Sequence, residues 1–199
     1  MQIVVATHNA KKRAEIAAIL GQLAIDVVPE AQTKFVEVIE DGDSFAANAR
    51  KKAEAFVQAN GLPALADDSG LCVDALGGAP GIYSARFAGS EGDDAANNRK
   101  LLQELAGKEP RTAHFTCALH LAFPEHQAPI AVEGRVAGEI LHAPCGHTGF
   151  GYDPLFFCPE LGKAFAEATA EEKATVSHRG RALRALVAQL QSNNSGAKI

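Results

Sequence analysis

The stretch from Ala66 to Arg86, ADDSGLCVDALGGAPGIYSAR, constrains this chain more than any other. A short apolar run, Leu62 to Ala66, leads directly into two adjacent carboxylates, Asp67 and Asp68. An unpaired buried carboxylate is expensive, so a strand that ends in acids is expected not to continue into a core. Ser69-Gly70 reads as a turn and Leu71-Cys72-Val73 as a resumed strand, with Gly77, Gly78, Pro80 and Gly81 marking a long loop. Acids so placed suit a metal ion or a cation-rich cleft. Followed by a glycine-rich segment, they suit an Mg2+ site beside a phosphate ligand, because Mg2+ takes oxygen ligands and substrate phosphates. An ordinary acidic turn, whose Asp and Ser cap backbone donors, is the other reading of the same residues.

The rest of the chain bounds what those acids can serve. At 199 residues it suits one domain, taken as residues 1–191 with two lobes, and residues 192–199 read as a disordered polar tail. The net charge of −5 argues against a nonspecific nucleic-acid binder. Cys72, Cys117, Cys145 and Cys158 are too widely spaced for a zinc site or a disulfide framework, and Cys72 and Cys117, in apolar runs, are expected as buried thiols. Met1 to Ala6 lacks the basic start of a signal peptide, and no apolar run reaches the roughly 20 residues needed to span a bilayer. A cytoplasmic enzyme with no membrane partner is the class expected.

Taken in order, Ile3 to Ala6 reads as a buried strand and Lys12 to Leu20 as a helix ended by Gly21. The polar turn between them, Thr7 to Lys12, would offer backbone N–H groups at a helix start, where anions bind. Asn9 as a simple helix cap is the alternative. Ile25 to Val28 and Lys34 to Val38 read as short strands, and Phe45 to Ala59 as a helix capped by Asp43 or Ser44 and closed by Asn60-Gly61. On it Asn48 and Lys52 share a face, either lining a site near acids or simply solvated.

Asp94 to Leu105 reads as a helix. Ala113 to Phe123 reads as a long strand with Phe115, Cys117, Leu119, Leu121 and Phe123 buried, and His114, Thr116 and His120 on the other face. Ile130 to Val136 alternates again, Gly138 to Leu141 continues it, and Arg181 to Gln191 forms the last helix. Gly149-Phe150-Gly151-Tyr152-Asp153-Pro154 sets aromatics and an acid among glycines, where backbone can approach a flat ligand. Lys173 and Ser177-His178-Arg179-Gly180 concentrate donors before the final helix.

With those residues in view the chain resembles the inosine triphosphate pyrophosphatase family, the XTP/dITP diphosphatases. The likeness runs in order through T-x-N-x-x-K at Thr7 to Lys12, Phe45 with Asn48-Ala49 and Lys52, ADDSGL from Ala66, LGGAPGIYSAR from Leu76, GFGYDP from Gly149 and SHRG from Ser177. His8 departs from it, standing where many relatives carry glycine.

The resemblance implies an α/β fold: a long, mixed, twisted central sheet flanked by helices, in two lobes with the active cleft between them, assembled as a homodimer. It also implies Mg2+-dependent hydrolysis of ITP, dITP and XTP to monophosphate and pyrophosphate. Carried over by position, Asp68 would be general base and metal ligand, Glu40 the second metal carboxylate, and Asp67 its neighbour. Thr7, His8, Asn9, Ala10, Lys11 and Lys12 would grip the triphosphate. Ser69, Phe150, Gly151, Tyr152, Asp153, Lys173, His178 and Arg179 would hold the substrate, several of them near the base. Arg179 or His178 would donate to the 6-keto oxygen; an ion pair tying Arg179 to a nearby acid is the alternative. A pyrophosphatase of other base specificity and a non-catalytic nucleotide-binding regulator are the competing functions.

Overall fold

In the computed structural model residues 1–21, 25–89, 92–125 and 127–196 are described. Among the described residues seven strands form one open, mixed, twisted sheet in the order β2-β1-β3-β4-β5-β6-β7, flanked by five α-helices. They are β1 (Gln2–Val5), β2 (Asp26–Val27), β3 (Ala64–Val73), β4 (Thr112–Ala122), β5 (Ile130–Ile140), β6 (Phe156–Cys158) and β7 (Lys163–Ala164). The helices are α1 (Ala10–Gly21), α2 (Phe45–Asn60), α3 (Asp94–Glu104), α4 (Ala170–Val176) and α5 (His178–Gly196). β1 pairs in parallel with β2 and β3, whereas β6 is antiparallel to both β5 and β7. No helix among the described residues is long and apolar enough to cross a membrane.

The chain divides into two compact units. The first comprises 1–68, 117–134 and 179–199; the second comprises 69–116 and 135–178. In the first unit, Ile16 and Leu20 of α1 and Leu183 and Leu186 of α5 pack with Cys117, Leu119 and Leu121 of β4. A second cluster joins Ala53 and Phe56 of α2 to Val4, Ala64, Ala66 and Ala122. Burying one such phenylalanine contributes about 1.5–3 kcal/mol. β4 is therefore covered on both faces, and Thr116, Ala118 and His120 are buried as well. That corrects the expectation of one buried face. In the second unit, Leu101 and Leu105 pack with Phe115, Phe156, Phe165, Tyr152 and Leu155.

Local signals account for the helix limits. Ser44 caps α2 by accepting from the Ala47 N–H, and Gly61 closes it in the left-handed conformation at φ 65°. Asp93 caps α3 through the Ala96 N–H.

Other expectations change. Lys34 to Val38 is not a strand: Asn60 supplies the missing partners, accepting from the Lys34 N–H at 2.8 Å and donating to its carbonyl at 3.0 Å. α5 runs from His178 to Gly196, past the expected 181–191, so residues 192–196 are helical rather than a disordered tail; 197–199 lie outside the described residues. None of the four cysteines is in a disulfide, with Cys117 buried and Cys72 only half-buried.

The largest correction concerns β3. It runs unbroken for ten residues through Asp67, Asp68, Ser69 and Gly70, with no turn after the acids. Both carboxylates enter the sheet buried. They can do so because each is paired.

Candidate active site

The first unit gathers five charged groups, Lys12, Glu15, Glu40, Lys52 and Arg179, around the acid pair. Asp67 has one oxygen on Lys12 Nζ at 2.7 Å and the other on Arg179 Nε at 3.0 Å, and the second oxygen also accepts from Cys117 Sγ at 3.0 Å. Burial pushes its carboxyl up, but the Arg179 guanidinium and the Lys12 ammonium overcome that and hold it well below the usual carboxylate range. The same burial and the Asp67 charge push the Cys117 thiol well up, so it stays a neutral donor. Arg179 itself is 2% exposed and also pairs with Glu15 of α1.

Asp68, one residue on, points to different partners. Its Oδ2 accepts from Asn48 Nδ2 at 3.1 Å, and its Oδ1 lies 3.4 Å from Lys52 Nζ. Lys52 also reaches Glu40 Oε1 at 3.0 Å and donates to the Asp67 carbonyl at 2.8 Å. Burial raises the Asp68 carboxyl above its ordinary value; Lys52 and Lys12 oppose the shift and Glu40 adds to it. For Lys52, burial works against the charge, yet Asp68, Glu40 and Asp67 together raise its ammonium. Adjacent residues on a strand face opposite ways, and here that alternation separates a fully ion-paired acid from one with a raised proton affinity.

Asn48 is fully buried at the hub of this arrangement. Its Oδ1 accepts from the Gly42 N–H at 2.8 Å while its Nδ2 meets Asp68. A Cβ on residue 42 would come within 2.6 Å of that oxygen, so the loop after Glu40 requires glycine there.

Glu40 and Asp68 are the pair that fits a metal. Both present an oxygen to one cation, and two carboxylates completed by water and phosphate oxygens are a donor set that Mg2+ takes. Among the described residues no group of three or more His, Cys, Asp or Glu side chains could hold a metal unaided. Asp67 is committed to its two cations.

The Thr7–Lys12 turn lies in the same unit, between β1 and α1. Asn9 caps α1, its Oδ1 accepting from the Lys11 and Lys12 N–H groups at 3.0 and 3.1 Å, while Thr7 Oγ1 accepts from the Asn9 N–H at 3.1 Å. Thus three of the turn's N–H groups are met internally. His8 is exposed and packs its ring against Phe35 at 4.8 Å; Ala10 and Lys11 are exposed beside it.

The second unit holds the remaining expected residues. Asp153 Oδ2 pairs with Lys173 Nζ at 2.6 Å and accepts from the Phe150 N–H at 2.8 Å. The Lys173 ammonium lies 4.9 Å from the Phe150 ring centroid and 5.6 Å from that of Phe165. A Cβ on Gly149, at φ 77°, would come within 2.1 Å of the Asp153 carboxylate, so only glycine fits that turn. Tyr152 is a core residue with its hydroxyl donating to the Ser84 carbonyl at 3.0 Å; burial, with the Asp94 charge, pushes its phenol up. His178 is buried and stacks on Phe115 at 4.7 Å. Ser69 is half-buried in β3.

The sequence reading expects Glu40, Asp67 and Asp68 together and Lys12 on the triphosphate, and leaves Asn48 and Lys52 either lining a site or solvated; the structure brings all six side chains together. The sequence reading gave no role to Glu15, three residues past Lys12 on α1, or to the Cys117 thiol against Asp67. Arg179 is found in the ion-pair arrangement, spent on Asp67 and Glu15.

The Ham1 family model matches residues 3–189. A protein of Nitrosomonas europaea named dITP/XTP pyrophosphatase is 47% identical over 195 residues, covering 98% of this chain and 96% of that one. The solved structure of a HAM1 protein from Coxiella burnetii superposes with a TM-score of 0.87 at 39% identity, over 96% of this chain and 99% of that chain. The Mycobacterium abscessus nucleoside-triphosphatase / dITP/XTP pyrophosphatase is 45% identical, with a TM-score of 0.75 over 96% and 100% of the two chains.

Proposed function

The chain belongs to the Ham1 family, and on that premise we propose that it hydrolyses deaminated purine nucleoside triphosphates, ITP, dITP and XTP, to the monophosphate and pyrophosphate. The observation that carries the site is the unequal treatment of Asp67 and Asp68: one is locked as a carboxylate by Lys12 and Arg179, the other is left with a raised proton affinity beside Glu40 and Lys52. A pure nucleotide binder has no use for several carboxylates facing a polyanion.

Asp68 takes the proton from the water that attacks the α-phosphorus, so that the oxygen enters the monophosphate and pyrophosphate leaves. Glu40 and Asp68 would hold Mg2+, which when bound neutralises charge developing on the phosphate oxygens. Lys12 and Lys52, each already poised on a carboxylate, supply further positive charge where the triphosphate gains it, and the Thr7–Lys11 turn adds its polar groups. Asn48 turns Asp68 toward its work. On the base side we assign Ser69, Phe150, Gly151, Tyr152, Asp153, Lys173 and His178, with the Phe150 ring as the flat surface and Lys173 and His178 as donors. A 6-keto purine offers acceptors to such donors, whereas adenine's 6-amino group leaves them unmet, and unpaired polar groups make rejection strong. Arg179 acts through Asp67. Family resemblance supports a homodimer, which light scattering tests.

The test is a substrate panel with product analysis. ITP, dITP and XTP with Mg2+ should give monophosphate and pyrophosphate, with ATP and GTP much slower. Orthophosphate and diphosphate as products would sink the reading, and a preference for pyrimidine triphosphates would replace the substrate class.

A further inference from the structure

Two side chains of α3 grip a single residue of the turn that carries Phe150. Asp94 Oδ2 accepts the Gly151 N–H at 2.8 Å, and Asn98 Nδ2 donates to the Gly151 carbonyl at 2.9 Å. Four residues apart, the two share one helix face. Both polar groups of one peptide residue are thus held from the same rigid element. The turn needs such support, because Gly149 and Gly151 both take positive φ, at 77° and 62°, and glycine is pliable by itself. From inside the turn Asp153 holds the Phe150 N–H at 2.8 Å, so Phe150 and Gly151 are fixed at three points.

α3 is itself anchored. Its neighbouring Asn97 accepts from the Ala88 N–H at 2.7 Å and donates to the Ala85 carbonyl at 3.2 Å. Asn98 also shows what it is there for. A carbonyl can only accept, so the amide must turn its nitrogen to Gly151, which leaves Asn98 Oδ1 buried without a hydrogen-bond partner among the described residues. An unmet buried acceptor is destabilising. The hold on Gly151 gives the amide its role at this position.

We propose that Asp94 and Asn98 are positioning residues for base recognition: by clamping Gly151 they fix where the Phe150 ring stands against the purine. The proposal rests on the reading of Phe150 to Asp153 as base-side contacts. It makes α3, which carries none of the expected site residues, a determinant of substrate affinity.

The experiment compares Asp94→Ala, Asp94→Asn, Asn98→Leu and a Phe150→Ala control. KM and kcat are measured for ITP, and the inhibition constant for tripolyphosphate, which has no base. Loss of one charge-assisted bond is expected to raise the ITP KM about tenfold in Asp94→Ala, with a smaller rise in Asn98→Leu. In both, kcat should stay within about twofold and tripolyphosphate inhibition should not change. Asp94→Asn, which keeps an acceptor for the Gly151 N–H, should restore most of the affinity. A parallel rise in the ITP KM and the tripolyphosphate constant would mean a general loosening and overturn the proposal. If Phe150→Ala raises the ITP KM while the α3 variants leave it unchanged, the clamp falls and the base-side reading stands. If Phe150→Ala also leaves it unchanged, both fall.

Discussion

Asp67→Asn and Asp68→Asn should move thermal stability in different ways, although the residues are adjacent and the substitutions identical. Asp67 has no exposed side-chain surface and pairs with two cations, of which Arg179 is as buried as the acid. Removing one member of a buried pair costs about 3–5 kcal/mol, because it strands the other charge. A chain of this size loses about 2–4 °C of melting temperature per kcal/mol, so Asp67→Asn should melt about 6–20 °C below wild type.

Asp68 is the opposite case. Its carboxyl is raised, so its charge is a net burden on the metal-free fold, and the neutral amide should leave the melting temperature unchanged or higher while abolishing turnover. The pH dependence separates them further. A carboxyl lowered in the fold contributes stability above its unfolded value, and that contribution is lost as pH falls through the folded value. The gap between wild type and Asp67→Asn should therefore close in acid. For Asp68 the wild-type penalty is full above the raised folded value and vanishes below the unfolded one. Melts by circular dichroism in EDTA, from about pH 8 down to about pH 2, read both trends. An Asp67→Asn protein melting within about 2 °C of wild type at neutral pH would refute the ion-pair argument.

Arg179→Ala should lower kcat/KM for ITP and ATP together, leaving their ratio unchanged, and lower the melting temperature, since it frees Asp67 and Glu15; a collapse of the ITP-to-ATP ratio at constant stability would show base reading instead. Gly149→Ala should cost affinity for ITP, because a Cβ there overlaps the Asp153 carboxylate and forces the turn open; an unchanged KM would remove that turn from the site.

Much of the fold was legible where periodicity or capping is local. α2 and α3 start and stop on Ser44, Gly61 and Asp93, signals contained within a few residues. β6 and β7, at three and two residues, are too short to show a period, and only neighbouring strands define them. β3 was misread for a deeper reason. Whether Asp67 can be buried depends on Arg179, 112 residues away, and nothing local announces that partner. The penalty for burying an acid was judged correctly; its compensation was not visible. The same holds for Asn98, which looks like one more polar helix residue until Gly151 is seen against it. The site residues recovered from sequence were those in contiguous motifs, whereas Glu15, Cys117 and Asp94 act through contacts made by folding.

The most direct test of the central claim, that Asp68 drives water onto the α-phosphorus, is hydrolysis of ITP in 18O-labelled water with Mg2+. Mass spectrometry of the products should find one labelled oxygen in the monophosphate and none in the pyrophosphate, with formation of both products lost in Asp68→Asn. Label in the pyrophosphate would place the attack on the β-phosphorus and contradict the account.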